Sequence, residues 1–118
     1  EDLKKEYQKL QNIYGDKSLD SIYFGGQEIN PDICFVFMNP TGKNIASSKS
    51  WQGPKSPWIG TKNIWDLFYL TELLDKDIYE EIKSKKSSEW TIPFANKVYD
   101  NIKKHNIYIT NFVQKLYF

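Results

Sequence analysis

Apolar positions in the opening stretch recur at helical spacing. Leu3, Tyr7, Leu10 and Tyr14 fall at i, i+4, i+7 and i+11, which predicts an amphipathic helix over residues 1–14. "YGDKSLDS" breaks that pattern with turn formers, and "IYFGG" is a short segment ended by its glycines. After "NPD", residues 33–38 form an unbroken apolar run of β-formers, which predicts a strand buried on both faces. Helical spacing returns in "GTKNIWDLFYLTELL", with Ile64, Trp65, Leu67 and Phe68 on one face and Thr61 as the expected N-cap. "DKDIYEEIKSKKSSEW" reads as a charged second helix or an extension of the first. "PFANKVYDNIKKHN" predicts a further helix, with Pro93 near its start and Ala95, Val98, Tyr99 and Ile102 on the apolar face. Residues 107–113 are β-rich and predict a second core strand.

This order is helix, strand, loop, helices, strand. It defines an α/β class, with the two core strands parallel and joined by a right-handed crossover. The 118 residues suit one domain, with no repeat and no linker. Sheets usually hold about four to six strands, and two core strands cannot cover both faces of their helices. Residues 1–118 are therefore expected to hold the N-terminal part of one domain, completed by a C-terminal part or by another chain; otherwise a monomer is expected.

Between the first strand and the next helix lies an unpatterned loop, "NPTGKNIASSKSWQGPKSPWIGTK". Loops of this length are uncommon in compact domains, and are functional or disordered. Trp51 and Trp58, with Pro40, Pro54 and Pro57, argue for an ordered binding loop, because disordered segments are poor in aromatics. "NPTGKN" lacks the G-x-x-x-x-G-K-[ST] spacing of a phosphate loop, which excludes a nucleoside triphosphate site of that kind.

Composition narrows the classes. Hydrophobic residues at 40% and aromatics at 16% suffice for a packed core. No stretch approaches the roughly 18 apolar residues of a membrane span, and no leader pattern is visible in "EDLKKEYQKL". The single cysteine, Cys34, permits neither a disulfide nor a multi-cysteine metal site within one chain, so a cytoplasmic protein is expected. Net charge is +1, and all 16 basic residues are lysine. No acidic residue occurs between Asp32 and Asp66, whereas Lys43, Lys49, Lys55 and Lys62 do. That stretch is either a local cationic surface or a solvated loop with scattered lysines.

Three blocks, in order, resemble the uracil-DNA glycosylase superfamily. "SIYFGGQEINPDICFVFMNPTG" resembles its short strand, glycines, turn and first core strand, ending in a water-activating motif. "SPWIGTKNIW" resembles the Pro-aromatic-x-Gly block opening the next helix, and "IYITNFVQK" the strand ending in a uracil-reading asparagine. The Asn39-Pro40 motif is closest to the mismatch-specific and single-strand-selective branches, with Phe37 and Thr41 where flanking glycines are usual. With one cysteine, an iron–sulfur cluster is not supported. The family's C-terminal histidine motif has no counterpart, since His105 precedes the second strand.

The resemblance implies a three-layer α/β/α fold with a mostly parallel central sheet. It also implies a monofunctional hydrolase that needs no metal or other cofactor and excises uracil, or a related deaminated base, from DNA. Such an enzyme flips the base and breaks its bond to C1′ through an oxocarbenium-like transition state. Asn39 would hold the attacking water, where local sequence alone reads an Asx turn. The main chain around Met38 would bind a uracil carbonyl, an oxyanion-type role. Trp58 would stack on the base, its alternative being a lid over the helix, while Trp65 is assigned to packing. Asn111 would read the uracil edge, its alternative being a strand-end cap. Thr41, Lys43, Ser47, Ser48 and Lys49 would contact DNA phosphates. Two other readings stay open: a non-catalytic DNA-binding member of the fold, and a small nucleotide- or metabolite-binding α/β protein.

Overall fold

The computed structural model describes residues 2–15, 18–37 and 44–111. The order is α1 (Asp2–Tyr14), β1 (Phe24–Gly26), β2 (Ile33–Phe37), α2 (Asn63–Leu70), α3 (Lys76–Ser84), α4 (Ile92–Lys104) and β3 (Ile107–Asn111), with short 3-10 turns at Ile45–Ser47 and Ser87–Glu89. The protein is thus mixed helix and sheet, broadly α/β. β3 lies at the centre of a small mixed sheet of order β1-β3-β2, parallel to β2 and antiparallel to β1. β2 and β3 are therefore joined through helices, as expected of parallel neighbours.

Register assigns the faces. Ile33 pairs with Ile107, Phe35 with Ile109 and Phe37 with Asn111, so these residues share one side of the pleat. On that side α2 brings Phe68 to within 4.8 Å of the Phe35 ring centroid, and α4 packs on β1 and β3. Ile22, Ile59, Trp65, Phe68, Ile82, Val98, Ile102, Ile107 and Ile109 are fully excluded from solvent at the centre of the core. Phe24, on the other side, meets Tyr108 at 5.7 Å and Tyr7 of α1 at 6.4 Å.

α4 forms as its sequence predicts. Thr91 caps it by accepting from the Phe94 amide at 3.2 Å, Pro93 occupies its first turn, and Ala95, Val98, Tyr99 and Ile102 are all buried. β3 is found in place; residues 112 and 113 lie outside the described residues.

Four expectations are corrected. β2 is not buried on both faces: Val36 is 57% exposed and Cys34 also faces solvent. Among the described residues β2 pairs only with β3, and the helices cover just one of its faces. Thr61 does not cap α2; the N-cap is Lys62, and the Thr61 hydroxyl instead donates to the Trp58 carbonyl at 2.7 Å. Leu67 is 44% exposed, because the buried stripe of α2 narrows to Trp65 and Phe68. Tyr14 is exposed, while Gln11, one helical turn beyond Tyr7, is buried.

Candidate functional site at the carboxyl ends of two parallel strands

Phe37 and Asn111 stand opposite each other where β2 and β3 end. The Phe37 ring meets the Trp58 indole edge to face, with centroids 5.1 Å apart. Asn111 is 4% exposed. Phe37 thus links two predicted site residues 53 positions apart in the chain, Trp58 by ring contact and Asn111 by strand register. Carboxyl ends of adjacent parallel strands are where open α/β sheets bind ligands.

Trp58 is held by an unusual run of backbone contacts. Four consecutive carbonyls, Lys55 to Trp58, each accept from a different part of the fold. The Lys55 carbonyl takes the Tyr23 amide at 2.7 Å, and that of Ser56 takes Asn44 Nδ2 at 3.4 Å. The Pro57 carbonyl accepts from the Tyr99 hydroxyl. That of Trp58 accepts the Thr61 hydroxyl at 2.7 Å and the Trp65 indole N–H at 3.3 Å. Ser56 adds a hydroxyl bond to the Phe24 carbonyl at 2.9 Å. Burial pushes the Tyr99 hydroxyl well above the ordinary phenol range, so it stays protonated and donates.

These contacts hold Trp58 at φ 66°, in the left-handed region that side chains disfavour. Its indole Nε1 is buried without a hydrogen-bond partner among the described residues. The same holds for Trp90 Nε1, whose ring packs on Phe94 away from β2, so the buried N–H by itself does not mark a ligand. Positive φ also occurs at Asn30, Glu72 and Asn106; what sets Trp58 apart is a bulky aromatic held there between bonded carbonyls.

The loop lysines are arranged differently from the sequence expectation. Asp20, from an earlier segment, bridges Lys49 and Lys55, each at 3.0 Å. Burial pushes the Asp20 carboxyl up, but hydrogen bonds and charge from Lys55 and Lys49 outweigh it, so the group titrates below its usual range. Lys55 also donates to the carbonyls of Ser48 and Trp51, and Lys62 donates to the Lys83 carbonyl at the end of α3. One acid that the fold brings to the stretch thus offsets part of its positive charge, while Lys62 meets only a neutral carbonyl. Lys49 keeps half of its side chain exposed. Ser47, expected to meet phosphate, is corrected: it is 2% exposed and its hydroxyl donates to the Asn44 carbonyl at 2.7 Å. Ser48 is half-buried, its hydroxyl 2.8 Å from that of Ser50.

Met38, Asn39, Thr41 and Lys43 lie outside the described residues; the chain enters that segment directly from Phe37. Trp65 is fully buried beside Phe68 and Tyr99, in line with its assignment to packing. His105 is engaged elsewhere, 2.9 Å from the Asp75 carboxylate.

Sequence reasoning missed Phe37 and Tyr99 as parts of this site. The signal for Tyr99 was present: a tyrosine on a buried helix face must place its hydroxyl against an acceptor. For Phe37 there was none, since strand pairing decides what it opposes.

Among the described residues, no group of three or more His, Cys, Asp or Glu is placed to hold a metal ion, and no helix is long and apolar enough to cross a membrane. Compared with models of known protein families, with curated proteins and with solved structures, the chain matches none. The class that fold and site define is an α/β protein with an aromatic and a buried amide at the carboxyl ends of a parallel strand pair.

Proposed function

We propose that this chain belongs to a DNA glycosylase that removes uracil, or a related deaminated base, from DNA in the cytoplasm by hydrolysis. The observation that carries the reading is the convergence of Trp58 and Asn111 on Phe37, the residue from which the chain runs into Met38 and Asn39. An aromatic face and an oriented amide are what a flipped pyrimidine requires: a surface to stack on and a pair of hydrogen bonds to its edge. In the proposed reaction, water held by Asn39 bonds to C1′ as the bond from C1′ to the base nitrogen breaks. The electron pair leaves on the base, whose carbonyl is met by Asn111 and the Met38 main chain. The water proton passes to solvent or to the departing base. The finer architecture belongs to the same proposal: a three-layer α/β/α domain whose mostly parallel sheet extends beyond β2.

The test is excision of uracil by the full-length protein from a uracil-containing oligonucleotide, compared with the same oligonucleotide carrying cytosine and followed by alkaline strand cleavage. One observation favours a second reading, a small nucleotide-binding α/β protein: the described loop lysines are engaged by Asp20 and by backbone carbonyls. Tight binding of free uridine nucleotides with no affinity for uracil-containing DNA would select it over the glycosylase.

A further inference from the structure

We propose that Tyr99 is a positioning residue for Trp58, its hydroxyl acting through the Pro57 carbonyl to fix the indole that meets the base. The proposal rests on the reading of Trp58 as the base-stacking ring. Its physical basis is the geometry of the two peptide units that flank the Trp58 α-carbon.

A peptide unit is planar, so fixing the Pro57 carbonyl also fixes the amide nitrogen of Trp58 and the axis about which φ turns. The following unit is fixed as well, by the Thr61 hydroxyl and the Trp65 indole on the Trp58 carbonyl. Between two held planes Trp58 keeps φ at 66°, a value otherwise unfavourable for a tryptophan. Release of the first plane lets φ return to the negative range and swings the indole away from Phe37.

Tyr99 suits this role because it cannot drift. It lies on α4 between fully buried Val98 and Ile102, with its ring 6.0 Å from that of Trp65. On the β1 side the space is closed: a Cβ on Gly25 would lie 2.3 Å from Tyr99 Cε1 and 2.8 Å from Ser56 Oγ. Phenylalanine would fill the same core volume without a polar atom to satisfy. A hydroxyl at this depth is costly unless bonded, and the Pro57 carbonyl is its bond.

The experiment uses full-length protein labelled with nitrogen-15, with the Trp58 indole resonance identified by Trp58→Phe. Tyr99→Phe should remain folded, move or split the Trp58 indole cross-peak, and leave that of Trp90 in place. It should also slow single-turnover uracil excision by roughly tenfold, the scale expected of a misplaced positioning group. Ile102→Val, a core change on the same helix, should lower thermal stability with neither effect. If Tyr99→Phe fails to fold, 4-fluorophenylalanine placed at position 99, which fills the hydroxyl's volume but donates no hydrogen bond, takes its place with the same expectation. A Trp58 cross-peak unmoved in the folded variant would overturn the proposal. Lack of uracil excision by the wild-type protein would remove the glycosylase reading, while the cross-peak comparison would still decide whether Tyr99 positions Trp58.

Discussion

Phe37 and Asn111 are register partners at the ends of two parallel strands, and the ring of Phe37 is also the surface that Trp58 meets. The pairing turns three separate sequence features into one place. It also separates two tryptophans, seven residues apart, into different roles.

Trp65→Ala should cost about 3–5 kcal/mol, the usual range for emptying a fully buried aromatic site. Trp58→Ala should cost less, because its ring is only partly buried, yet should weaken binding to uracil-containing DNA more. Denaturant unfolding beside oligonucleotide titration compares the two. The opposite ranking would mean that the roles are exchanged.

Trp58→Gly should be more stable than Trp58→Ala by roughly 1 kcal/mol, since glycine adopts positive φ without the side-chain penalty. Urea midpoints of the two variants are the check. Equal midpoints would indicate that the left-handed conformation carries no strain.

The fold was legible where one helix face or one strand could be read alone. α4 follows from its periodicity and Pro93, and β3 from its β-rich run. What failed depended on neighbours. Residues 33–38 look like a central strand, but Val36 is exposed because helices cover only the Phe35 side of β2. The acid-free stretch looks cationic, but Asp20 reaches Lys49 and Lys55 across the fold. Of the candidate site, Trp58 and Asn111 were legible through their motifs. Phe37 was not, because its role arises from pairing; for Tyr99 the sequence signalled a bonded hydroxyl but not the distant carbonyl that accepts it.

Asp20→Asn should leave Lys49 without its counter-charge, tighten DNA binding and steepen its salt dependence, whereas Lys49→Ala should flatten it. Affinity measured across a salt series reads both variants. Unchanged slopes would locate this part of the loop away from DNA.

Asp75 joins α3 to α4. Hydrogen bonds from Lys104, then His105 and Asn101, hold its carboxyl well below the usual carboxylate range. A carboxyl whose folded value is depressed stabilises the fold above its unfolded value and loses that contribution as pH falls. Stability should therefore decline as pH drops below about 4, the ordinary value for Asp, and Asp75→Asn should flatten that decline. Urea midpoints between pH 2 and pH 7, which roughly cover the upper part of that decline, test it. A wild-type decline that persists unchanged in the variant would assign the acid sensitivity to other carboxyls.

The most direct test of the glycosylase account is single-turnover excision by full-length wild-type, Asn39→Ala and Asn111→Ala proteins on a uracil-containing oligonucleotide, with thermal unfolding of each. The account predicts that wild-type protein releases uracil. It predicts that both variants remain folded and lose about 10²–10³-fold in rate, as removal of one group stabilising developing charge does. Folded wild-type protein that releases no uracil, or variants that release it at the wild-type rate, would contradict it.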